Sequence, residues 1–120
     1  LWAKGALEKQ SPINVVDDQF RAPTLADDLA KGCILIADKN SKGIYHLSGP
    51  ETYSILEIVN RIGAFCGLST DCVSPIKSVT LNQAAKRPPK TGFIIDKAKK
   101  DLGYSPLNLE ESLEFLGNQI

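Results

Sequence analysis

Apolar residues in this chain fall at helical spacing in some stretches and in short β-branched runs in others, with proline or glycine between the two kinds. Residues 1–10, LWAKGALEKQ, read as the end of a helix with Leu7 and Trp2 on its apolar side, broken by Ser11-Pro12. INVV at 13–16 reads as a short strand. Pro23-Thr24 then opens a second helix. Thr24 suits the N-cap, Asp27 follows three positions later as in a capping box, and Leu25, Leu29, Cys33 and Ile36 give a buried stripe. GIYHLSG at 43–49 reads as a buried strand closed by a glycine turn. Ser54 and Glu57 predict another capping box, leading a strongly amphipathic helix with Ile55, Ile58, Val59, Ile62 and Phe65 and a stop at Gly67. DCVSPI at 71–76 is extended, Thr80 to Lys86 is a short helix at most, cut by Pro88-Pro89, and TGFIID at 91–96 is strand-like. Asp96 is expected to cap a short helix that stops at Gly103. Asn108 is expected to cap the last one, with Leu109, Leu113 and Leu116 on one face. Mixed helices and short strands in this alternation argue for an α/β or α+β fold.

Composition narrows the partners. The 120 residues suit one domain over 1–120, and Lys plus Arg equals Asp plus Glu at 14 each. A neutral chain has no field to draw it to nucleic acid or to an anionic membrane. No apolar run approaches the roughly 18 residues that span a bilayer, and the first ten residues lack a signal-peptide core, so a cytoplasmic protein is expected. Cys33, Cys66 and Cys72 are an odd count beside a single histidine, which is no zinc pattern; reduced thiols and no metal site are expected. The chain has no methionine and begins with leucine, which leads us to expect a piece of a longer protein.

The motifs of catalysis are missing from these residues. No two of the nine glycines stand two or three positions apart, so no loop is spaced to wrap a nucleotide diphosphate. Tyr45, Tyr53 and Tyr104 are followed four positions later by Gly49, Glu57 and Asn108, never by lysine. His46 sits inside the 43–49 run, where a structural role is the economical reading. The acidic pairs Asp17-Asp18 and Asp27-Asp28 are explained by capping and solvation. Neither a catalytic nor a cofactor-binding residue is therefore expected here. Arg61 falls on the polar side of its helix and reads as solvated. Arg21 and Arg87, in DQFRAPT and KRPPKTG, are held in proline-bounded turns that would present a planar fork to phosphate or carboxylate at low entropic cost. From spacing alone, a surface arginine or a carbonyl cap is the more economical reading of either.

VVDDQFRAPTLADDLA, GIYHLSG and KRPPKTGFIIDKAKKDLGYSP, in that order, resemble the C-terminal half of the dTDP-4-dehydrorhamnose reductase family, sugar-nucleotide enzymes among the extended short-chain dehydrogenase/reductases. The resemblance implies a C-terminal substrate-binding lobe that lacks its Rossmann N-terminal half. That missing half would carry the NADPH or NADH and the tyrosine–lysine pair, so this fragment would bind no cofactor. The 43–49 run would be a late strand of the missing domain's sheet. Substrate-binding roles are implied for Arg21, Arg87 and Gln19 around the diphosphate of a nucleotide sugar. Rhamnose reductases often carry glycine where Arg21 stands, and the broader epimerases arginine, so the exact sugar stays open. A lobe of a nucleotide-sugar epimerase or dehydratase, and a non-catalytic regulatory homologue, are the alternatives. An apolar strand cut from its sheet would drive self-association, and a homodimer is expected.

Overall fold

A computed structural model describes residues 2–117 of the chain. The order of elements is α1 (Trp2–Glu8), β1 (Ile13–Val16), β2 (Phe20–Arg21), α2 (Ala26–Asp38), β3 (Tyr53–Ser54), α3 (Ile55–Cys66), β4 (Val73–Ile76), a 3-10 turn at Ser78–Leu81, α4 (Asp96–Leu102) and α5 (Leu109–Leu116). β1 and β4 pair in parallel, from Ile13 opposite Val73 to Val16 opposite Ile76. β2 and β3 pair antiparallel, Phe20 opposite Ser54 and Arg21 opposite Tyr53. Helices and short strands are thus mixed along the chain, as the sequence predicts.

Three small cores hold these elements. Ala3, Leu7, Val15 and Val59 pack α1 and α3 onto the β1–β4 pair. Ile95, Ala98, Leu102 and Tyr104 meet Leu35 and Ile36 of α2 and the side chains of Tyr45 and Leu47. Tyr53, Leu109 and Leu113 seat α5 against α3. The chain is a slab of 50 × 36 × 19 Å with a radius of gyration of 16.6 Å. A globule of this length would have about 14 Å, so the chain is extended relative to one.

α3 and α5 follow their sequence closely. Ser54 and Glu57 form the reciprocal capping box, and Gly67 ends α3 in the left-handed conformation at φ 65°. Asn108 and Glu111 cap α5 in the same way. Elsewhere the predicted pattern is corrected. Ala3 and Leu7 are the buried pair of α1, and Trp2, about a hundred degrees round the helix from Ala3, is 64% exposed. α2 starts after Leu25 with no side-chain cap and buries Asp28 and Gly32. Leu29 and Cys33 lie on its exposed side. Leu47 packs onto Gly32, where a Cβ would stand 2.5 Å from Leu47 Cδ1 and make that side chain shift. Residues 43–49 keep the alternation of a strand, with Tyr45 and Leu47 half-buried and Ile44 and His46 exposed, but pair with no strand. His46 is not inside an apolar strand; it stacks on Phe93 at 4.9 Å. TGFIID is likewise unpaired as a strand, with Phe93 and Ile94 exposed. Ile95, not Asp96, is the N-cap of α4, and Asp96 falls in its first turn. The expected helix at 80–86 is instead the turn at Ser78–Leu81, ended by Asn82 at φ 45°. Phe65 is exposed rather than buried. Among the described residues no helix is long and apolar enough to cross a membrane.

Candidate functional site

The stretch after β1 assembles the site. Asp17 pairs with Lys77 at 2.8 Å. Asp18 accepts from the Ser78 amide at 2.9 Å and from its Oγ at 3.0 Å. Burial opposes ionisation of Asp18, but the Ser78 amide and hydroxyl, with Lys77 nearby, hold its carboxyl below the usual 3.8. Asp17 in turn holds Lys77 above its ordinary value. A carboxylate so stabilised is a poor base, so the Asp18–Ser78 contact is a clamp and not an activated nucleophile.

Gln19 and Phe20 tie this stretch to two further segments. Gln19 is buried, and its backbone carbonyl accepts from the Ile55 amide at 3.0 Å. Phe20 donates its amide to Pro89 O at 2.7 Å and accepts from the Thr91 amide at 3.1 Å, a parallel bridge to Lys90. Beside it, Thr24 Oγ1 donates to Ala22 O at 3.0 Å and accepts from the Gly49 amide at 2.8 Å. Gly49 can come this close only because it has no Cβ; one would lie 2.0 Å from Pro23 O. Thr24 therefore serves a contact 25 residues away and leaves α2 uncapped.

A cleft of about 680 Å³ opens over Asp18, Gln19 and Ser78 and is covered by residues 82–87 and Pro89. Of the three residues that the resemblance singles out, Gln19 and Arg87 line this cleft and Arg21 does not. The Arg21 guanidinium lies behind it, donating to Gln19 Oε1 at 3.2 Å, Phe20 O at 2.6 Å and Pro88 O at 3.3 Å. Lys86 and Arg87 are exposed at the rim. Lys86 and Arg87 line the cleft together with the buried Gln19, and two cations there suit an anion. The ionisable side chains of this lining are Asp18, Lys86 and Arg87. A second cleft of about 350 Å³ adjoins Ala22, Gly49–Thr52, Lys90 and Gly92–Ile94. Among the described residues no three metal-ligating side chains gather.

Sequence reasoning missed two features here. Ser78 had no local signal, because the carboxylate that fixes it is 60 residues away. Arg61 is exposed, as read from the sequence, but it also stacks over the Tyr53 ring at 4.3 Å and pairs with Glu110, contacts the sequence did not signal. Burial, and then the hydrogen bond to Glu51, push the Tyr53 hydroxyl up to about 12. This cluster joins α3 to α5 and stands outside the cleft lining.

A model of the RmlD substrate binding domain matches residues 3–119. No curated protein sequence matches the chain. Among solved structures, a dTDP-4-dehydrorhamnose reductase of Bacillus anthracis in complex with NADP superposes with a TM-score of 0.86 at 23% identity, over 99% of this chain and 42% of that one. A dTDP-4-dehydrorhamnose reductase of Clostridium acetobutylicum gives 0.88 at 21% identity, over 98% of this chain and 42% of that one. A UDP-glucuronic acid 4-epimerase of Bacillus cereus, in complex with UDP-glucuronic acid and NAD, gives 0.69 at 26% identity, over 91% and 35%. The chain therefore spans less than half the length of each of these structures.

Proposed function

We propose that this chain, which belongs to the RmlD substrate-binding domain family, is the 1–120 sugar-nucleotide-binding domain of a larger reductase acting on a 4-keto nucleotide sugar. The observation that carries this is the cleft in which Gln19 forms part of the floor and Arg87 part of the rim. Arg87 offers its fork to the diphosphate, Gln19 hydrogen-bonds the glycosyl half, and Arg21 contributes from the wall behind. The similar structures in complex with NADP or NAD support NADPH or NADH for the whole protein. These residues do not fit that cofactor. The glycines with positive φ stand singly, at Gly43 and at the ends of α3 and α4, so none opens a helix N-terminus onto a diphosphate. Chemistry on the sugar accordingly belongs to the portion of the protein outside this chain.

We place that Rossmann portion on the exposed apolar side chains Ile34, Ile44, Phe93 and Ile94, since apolar area left in water seeks a partner. The three free thiols fit a reducing, cytoplasmic setting. A second reading, a lobe of an epimerase or dehydratase, draws on the epimerase superposition at 26% identity.

Calorimetric titration of the full-length protein with dTDP and with UDP tests the assignment. A charge-assisted hydrogen bond is worth about 1.5–3 kcal/mol, so Arg87→Ala is expected to weaken dTDP binding about ten- to hundredfold. NADPH affinity should stay unchanged. Loss of NADPH affinity, or unchanged dTDP affinity, overturns the role of Arg87. Tighter binding of UDP than of dTDP moves the protein to the epimerase reading.

A further inference from the structure

Residues 79–87 are held at both ends by one short stretch of chain, residues 17–21. At the near end Asp18 grips Ser78 through amide and hydroxyl, and Asp17 pairs with Lys77 just before it. At the far end Arg21 donates to Pro88 O, and Phe20 exchanges hydrogen bonds with Pro89 and Thr91. Every residue from Val79 to Arg87 is exposed. The segment is thus a strap along the cleft, exposed throughout and tied at both ends to residues 17–21.

We propose that Asp18 and Arg21 are positioning residues for Arg87, fixing the two ends of the strap so that the Arg87 guanidinium stands at the rim before a ligand arrives. This deepens the cleft reading above and rests on it. A strap loose at one end samples many more conformations, and binding would then have to restrict them. Ionised Asp18 is suited to its end, because both its oxygens accept and Ser78 presents two donors. Arg21 reaches the other end with the same guanidinium that holds Gln19 Oε1. The guanidinium therefore couples the floor of the cleft to its strap, and Arg21 acts through Pro88 rather than as a ligand.

Two measurements on the full-length protein test this: calorimetry with dTDP, and limited trypsin digestion at the Lys86–Arg87 bond. The Arg87–Pro88 bond resists trypsin, so Lys86 is the cleavable position inside the strap. Asp18→Asn and Arg21→Ala are each expected to weaken dTDP binding about three- to tenfold and to speed cleavage after Lys86 several-fold. With Arg87→Ala already in place, Asp18→Asn should add little to the loss of affinity and still speed cleavage. Ser78→Ala, a milder variant, should show the same signs at smaller size if Asp18→Asn folds poorly. A loss of affinity that is the same with and without Arg87 overturns the proposal, as does an unchanged cleavage rate. Wild-type protein that binds no dTDP refutes the function proposed above, while the cleavage rates still decide whether the strap is clamped.

Discussion

α2 and α3 have similar sequence credentials and different fates. Both open with a hydroxyl residue followed three positions on by an acid, and both carry an apolar stripe. In α3 the local rules hold: Ser54 and Glu57 cap reciprocally, and Val59 and Gly63 are buried against partners within the chain. In α2 a distant partner takes the hydroxyl, since Thr24 holds the Gly49 amide. The buried side of α2 carries a carboxylate, Asp28, which accepts from the Leu107 amide at 2.8 Å, and Gly32, against which Leu47 packs. Local propensity decides a terminus only where no long-range hydrogen bond competes for the same atom. Hydrophobic period marks a face as apolar without saying whether its cover lies in the same chain.

The sharpest way to break the contrast is at Gly49. Gly49→Ala drives a Cβ into the Pro23 carbonyl and is expected to cost about 3 kcal/mol, at the upper end of overpacking, read as a drop in the midpoint of chemical denaturation. A smaller effect separates the two hydroxyls. Ser54→Ala should cost about 1 kcal/mol, as loss of an N-cap does. Thr24→Ala should cost about 1–3 kcal/mol by stranding the Gly49 amide, and Thr24→Ser should recover most of it. Equal losses for Thr24→Ala and Thr24→Ser would show that the methyl group, and not the hydroxyl, matters. The smallest effect is on the outer face of α2. Ile34→Ser should change the stability of the isolated chain by less than about 0.5 kcal/mol while reducing its self-association in light scattering. A monomeric wild-type chain at high concentration would remove the need for a cover.

The reciprocal caps of α3 and α5, the β1 strand and the glycine stops of α3 and α4 were legible because their signals are local. Asn108 with Glu111, and Gly67 and Gly103 at φ 65° and 70°, are written within a turn of where they act. The strands β2 and β3 were not legible, because two residues each carry no period. Residues 43–49 read as a buried strand, whereas Gly43, Ile44 and His46 are exposed, Tyr45 and Leu47 are half-buried, and no strand of this chain pairs with them, since an apolar run does not encode a neighbour. Gln19 and Arg87 share one cleft because Phe20 bonds to Pro89 and Thr91. Nothing in DQFRAPT or KRPPKTG alone could reveal that pairing. The resemblance supplied it by keeping the two motifs together, and it was silent about Asp18 and Ser78.

The parallel pairing of β1 with β4 has a consequence for the order in which the molecule is made. Ile13 meets Val73, and the Asp17 and Asp18 contacts beyond that ladder close over 60 residues. Helices such as α3 can nucleate from their own turns in about a microsecond, whereas distant strands must wait for the chain between them to be drawn in. Both ends of the 79–87 segment are fixed by contacts of long sequence separation, Asp18 with Ser78 and Phe20 with Thr91, so on a growing chain neither can form until residues 78 and 91 have been made.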